Sequence, residues 1–139
     1  MAKTKPGSAV KVIILTVVVL ALVGVAGLAA YGHYYSNKYA SVLNMTIEDQ
    51  PLQLAMNGPH LGVFTYGDFV YEVEVTIMYH EITDIKIISN RSSRHARQAE
   101  AVVERVLAKG NVNVDAVSGA TVTSKALLKA MELAISGSC

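Results

Sequence analysis

The chain has 139 residues, 52% of them hydrophobic, and a formal net charge of +1. An apolar segment at the front leaves roughly 100 residues, which is one small domain with one core and excludes separate substrate and cofactor modules. Lys3, Lys5 and Lys11 belong to that front, so the remainder carries nine Lys/Arg against eleven Asp/Glu, too acidic a balance for a nucleic-acid surface.

Val12 to Ala30 is an uninterrupted uncharged run of 19 residues. At about 1.5 Å per helical residue it nearly crosses a hydrocarbon core of about 30 Å. The lysines before it predict a cytoplasmic N-terminus and an extracytoplasmic domain. Tyr31, Tyr34, Tyr35 and Tyr39 follow at the position of an interfacial aromatic belt. A cleaved signal peptide has the same charge order, and Ala26 to Ala30 offers small residues for cleavage. The run exceeds the usual apolar region of about 7–15 residues, which favours an uncleaved anchor. No cysteine follows it, so a lipoprotein anchor is excluded. Either way the domain lies outside the cytoplasm.

Residues 34–43 extend the membrane helix as a short stalk, and 44–60 read as a linker broken by Pro51 and Asn57-Gly58-Pro59. Leu61 to Tyr66 reads as an edge strand before a Gly67-Asp68 turn. In Phe69 to Met78 the residues Phe69, Tyr71, Val73, Val75 and Ile77 share one face, opposite Glu72, Glu74 and Thr76, a half-buried strand. Ile82 to Ser89 is a second β-branched run. The connector around Tyr79-His80 has hairpin length but lacks the favoured Asn-Gly type of turn. The period then changes. Ala99, Val102, Val103, Val106 and Leu107 line one face of an amphipathic helix that Lys109-Gly110 stops. A last helix carries Leu127, Leu128, Met131 and Ile135 on one side, with Thr123 or Ser124 as its N-cap. The expected fold is therefore α+β: a small antiparallel sheet with two packed helices, preceded by one N-terminal transmembrane helix.

Cys139 is the single cysteine, so no internal disulfide forms. His33, His60, His80 and His95 are scattered, without metal-ligand spacing, and no metal site is expected. Ser118 lacks the His and acid context of a nucleophile, and Glu72 and Glu74 read as a solvent face, so no catalytic residue is assigned.

The informative stretch is Asp115-Ala-Val-Ser118-Gly119-Ala120-Thr121-Val-Thr123-Ser124-Lys125. It is a small-residue turn entering a helix, where free N–H groups and the helix dipole favour an anion. Thr121 sets a hydroxyl beside them. By pattern alone, turn and capping roles for these Ser and Thr residues are the favoured reading, and a phosphate site is permitted but not demanded. The stretch closely resembles the flavinylation motif of the FMN-binding domain family. The family includes flavin subunits of Rnf-type complexes and of sodium-pumping NADH:quinone reductases, and small membrane-anchored exported proteins. The strand pair and the helix Ala99 to Leu107 fit that family in order and spacing, over roughly residues 61–136.

The resemblance implies an FMN-binding domain at 61–139, after a cytoplasmic N-terminus and anchor at 1–35 and a stalk or linker at 36–60. It implies FMN joined by a phosphoester to Thr121. Asp115, Ser118, Gly119, Ala120 and Thr123 would complete the cofactor-binding motif. It implies a separate flavin transferase using FAD and Mg²⁺, and an electron carrier outside the cytoplasmic membrane working between redox proteins or a quinone, not a stand-alone enzyme. Two readings stand beside it: a membrane-tethered binding or scaffold subunit with an unmodified motif, and a small exported reductase acting on quinone or a soluble acceptor. The sequence departs from many members by lacking glycine in Asn90 to Arg97. The basic cluster Arg91, Arg94, His95 and Arg97 there is a candidate for contact with the FMN phosphate or ring carbonyls. Tyr66, Phe69, Tyr71 and Tyr79 are candidates for ring stacking, with strand core packing as the plainer role.

Overall fold

The computed structural model describes residues 6–138; Lys3, Lys5 and Cys139 lie outside the described residues. The chain divides into two compact units, up to Lys38 and from Tyr39.

The first unit is most of helix α1, Pro6–Leu43. Its 38 residues span about 57 Å, more than one hydrocarbon core. The helix is apolar on every side, and none of its most hydrophobic window is buried within the structure. Side chains such as Leu20 and Leu28 are 66% and 75% exposed. An all-round apolar helix is stable in water only when something covers it, and lipid does so. α1 is thus long and apolar enough to cross a membrane once. Tyr35 packs on Tyr31 and Tyr34 at 4.5 and 5.9 Å between centroids, and Lys38 lies over the Tyr34 ring.

The second unit is an antiparallel meander of β1 (Gly58–Tyr66), β2 (Phe69–Met78) and β3 (Glu81–Ser89), in the order β1-β2-β3. Helices α2 (Arg94–Ala99), α3 (Val102–Lys109) and α4 (Thr121–Ser136) follow. β2 is central, and Tyr71, Val73, Val75 and Ile77 on its inner face are fully buried. Each such side chain contributes about 1.5–3 kcal/mol of transfer free energy. α4 lies across β1 and β2, placing Leu127, Leu128, Met131 and Ile135 in the same core. α3 packs on β3 through Val102 and Val106.

The first strand begins at Gly58, three residues earlier than expected, so the expected linker already contains sheet, together with a 3-10 turn at Leu52–Leu54 and the buried Ala55. The single amphipathic helix expected around 99–107 divides in two. At the junction, Glu100 N–H and Ala101 N–H reach back only three residues, to Arg97 and Gln98. The tightened turn brings Ala96 and Ala99 of α2 and Val102 and Val106 of α3 all into the interior. The tip of the second hairpin holds Tyr79 and His80 at φ +54° and +66°. A two-residue turn matching the twist of its strands requires such angles, normally supplied by Asn or Gly. Here outside contacts hold them: Tyr79 N–H donates to Asn57 Oδ1 at 2.9 Å, and His80 Nδ1 to the Leu52 carbonyl at 3.2 Å.

Candidate functional site

α4 starts at Thr121, two or three residues before the cap expected at Thr123 or Ser124. The N-cap is Ala120, and no side chain caps the helix. Alanine is among the poorest caps, worth about 1 kcal/mol less than Ser, Thr or Asp. The N–H groups of Thr121, Val122 and Thr123, ahead of the first helical bond from Ser124 N–H to the Ala120 carbonyl, thus have neither an intrahelical acceptor nor a capping side chain. Thr123 and Ser124 are instead buried inside that turn. Ser124 Oγ donates to the Ala120 carbonyl at 2.8 Å and accepts from Val117 N–H at 3.1 Å, so it ties the motif loop to the helix. The loop closes through Ala120 N–H to the Val117 carbonyl at 3.0 Å, with Gly119 at φ +80°. That angle is cheap only for glycine. Arg105 of α3 pins the other end, donating from Nη1 to the carbonyls of Asp115 and Ala116 at 2.8 and 3.1 Å.

Thr121 is half-buried and opens into a cavity of about 350 Å³. Gly119, Ala120, Val122 and Thr123 line it from the motif, and Arg91 and His95 line it from the segment after β3. Four of the six motif residues therefore share one cavity. Asp115 does not: it is exposed and lines a separate cavity of about 670 Å³ with Arg105 and Lys109. Ser118 is exposed at the loop tip. The basic cluster is also split, since Arg94 and Arg97 are exposed and line neither cavity.

Asn90 explains why Arg91 points here without a glycine in this stretch. Its Oδ1 accepts from Arg91 N–H at 2.8 Å, while its Nδ2 donates to the Ala96 carbonyl and to Glu100 Oε1, each at 3.0 Å. Ser93 caps α2 by accepting from Ala96 N–H at 3.1 Å. The guanidinium of Arg91 lies 3.9 Å from the Phe69 ring centroid. Beneath the site, Tyr71 is fully buried and its hydroxyl makes no hydrogen bond. Burial pushes its phenol above the ordinary value; the nearby charge of Arg91 and the hydrogen-bonding approach of the Thr123 and Arg91 side chains, which stop short of hydrogen-bond geometry, partly oppose this. Of the aromatic candidates, Phe69 thus borders the site under Arg91, Tyr71 is core below it, and Tyr79 is exposed at the hairpin tip.

The sequence model of the FMN-binding domain family matches residues 66–136, more than half of the chain. The chain belongs to the FMN-binding domain family. The match takes in β2, β3 and all three helices, and leaves out α1 and nearly all of β1. No curated protein matches the chain. The residues fit FMN: uncapped amides and a cation line one cavity, where they would suit a phosphate, and the Tyr71 hydroxyl is a buried polar atom without a hydrogen bond among the described residues. The protein is an FMN-binding domain preceded by one long apolar helix.

Asn90, Ser124, Arg105 and the Tyr71 hydroxyl carry no sequence signal of their role. Each acts through backbone groups or burial that only the fold brings together.

Proposed function

We propose that this protein is a membrane-anchored electron carrier holding FMN as a phosphoester on Thr121. The observation that supports this reading is the cavity at the uncapped start of α4, where the Thr121 hydroxyl, free amides and Arg91 converge. In the attachment step a flavin transferase brings FAD with Mg²⁺. The Thr121 oxygen forms a bond to the FMN phosphorus, the pyrophosphate P–O bond breaks, AMP leaves, and the hydroxyl proton is released. The exposed Asp115 and Ser118 are accessible to such an enzyme. The flavin supplies the redox chemistry; this chain supplies attachment, orientation and charge. α1 tethers the domain, with Lys11 and the preceding lysines on the cytoplasmic side and the flavin outside. The donor and acceptor are redox proteins or a quinone.

The test is the full-length chain coexpressed with a flavin transferase and run on a denaturing gel. Flavin fluorescence should travel with the wild-type band and vanish in Thr121→Ala. Fluorescence that persists in the variant moves the attachment elsewhere. A dark wild-type band, in a host that labels another flavinylated protein, favours a scaffold subunit with an unmodified motif.

A further inference from the structure

We infer that Arg91 is the cationic ligand of the FMN phosphate, and that Tyr71 positions its guanidinium. This deepens the proposed function, because it takes the cavity beside Thr121 as the flavin site.

Arg91 is half-buried against Phe69, and among the described residues its guanidinium has no carboxylate partner. A partly desolvated, unpaired cation is unfavourable until an anion meets it. The cavity that it lines also holds Thr121 and the first turn of α4. An anion seated there gains the helix amides and a guanidinium together. The neighbours separate Arg91 from an ordinary surface charge. Arg94 and Arg97, on the same stretch, are exposed and do not line this cavity. Asn90 fixes the Arg91 backbone, so the direction of the side chain is built in.

Tyr71 is the second, independent observation. Its hydroxyl is wholly buried, makes no hydrogen bond of full geometry among the described residues, and is approached by Arg91 and Thr123, both of which line the cavity. A buried hydroxyl without a partner is rare unless a ligand or a ligand-bound side chain completes it. Drawn toward the phosphate, Arg91 or Thr123 turns a polar atom to that hydroxyl, and the phenol then fixes the rotamer. Tyr71 is a positioning residue and does not itself reach the cavity.

The experiment uses the full-length chain made without a transferase and kept in detergent. FMN and riboflavin are titrated separately and followed by flavin fluorescence. The two ligands differ by the phosphate alone. The wild type should prefer FMN by about tenfold or more, as a charge-assisted phosphate contact implies. Arg91→Gln should remove most of that preference and leave riboflavin unchanged. Arg91→Lys should keep part of it, and Arg94→Gln all of it. Tyr71→Phe should reduce FMN binding several-fold without touching riboflavin, which a purely structural role would not do. Equal affinities in the wild type, no saturable FMN binding, or an Arg91→Gln loss common to both ligands overturns the inference. If Arg91→Gln does not fold, the wild-type preference decides: it must collapse as salt rises, and a salt-independent preference overturns the inference. An FMN preference that depends on Arg91, found in a chain that no transferase labels, would sink the covalent reading alone. A labelled chain with no such preference would sink Arg91 alone.

Discussion

Gly62 sits on the inner face of β1, opposite Val73, where α4 crosses the sheet. A Cβ placed on it would lie 1.8 Å from the Ala130 carbonyl oxygen and 2.7 Å from the Ala134 nitrogen. Both are backbone atoms of α4, so no side chain can turn away. Ordinary contact starts near 3.4 Å, so the helix would have to retreat by about 1.5 Å, loosening Leu127, Met131 and Ile135 with it. Overpacking of this kind costs about 3 kcal/mol or more. For a domain of this size that lowers Tm by about 12–24 °C. The assay is thermal unfolding of the full-length protein followed by proteolytic cleavage within β2 and α4, which reads the domain and not the α1 helix. Gly67→Ala is the control. Gly67 has φ +59° but open space around it, so alanine there meets only the left-handed backbone cost of about 1–2 kcal/mol. Equal, small shifts in both variants would refute the close approach of α4 to β1. Because α4 carries Thr121 at its start, Gly62→Ala should also lower flavin loading in proportion to its loss of folded protein.

Other substitutions test the rest of the frame. Ser124→Ala strands Val117 N–H and frees the motif loop, and should cost about 1–2 kcal/mol by urea unfolding while lowering flavin loading. Glu132 is buried, accepts from Glu48 N–H at 3.2 Å and pairs with Lys129 at 2.7 Å, so Glu132→Ala should cost about 1–3 kcal/mol, and Glu132→Gln less. Tyr71 keeps its proton longer in the folded than in the unfolded chain. Its contribution is thus full below about pH 10 and is lost as pH rises from there through the higher folded value. Unfolding free energy should fall less steeply above pH 10 in Tyr71→Phe than in the wild type, and parallel curves would contradict the assignment.

Where one strip of residues faces one environment, the fold was legible in the sequence. The alternation of Tyr71, Val73, Val75 and Ile77 marks the central strand because all four meet the core. Leu127, Leu128, Met131 and Ile135 mark α4 for the same reason. The motif was legible only through its resemblance, since its pattern alone favours an ordinary capped turn. Contacts between distant backbones left no trace. Gly62 reads as a weak strand residue until α4 is laid on it. Tyr79 and His80 accept positive φ because Asn57 and Leu52 hold them from elsewhere in the chain. The start of α4 was misplaced because Ala120 offers no capping oxygen, whereas Thr123 and Ser124 do. The basic cluster looked uniform until the fold set Arg91, half-buried, and His95, exposed, at the rim of the cavity beside Thr121 and left Arg94 and Arg97 away from it.

The central claim is the bond at Thr121, and intact mass tests it most directly. The protein isolated from its own membrane should be heavier than its sequence by one FMN less one water. Thr121→Ala from the same membrane should show the bare polypeptide mass. An unmodified wild type from cells that flavinylate other proteins, or an equal gain in the variant, would contradict the account.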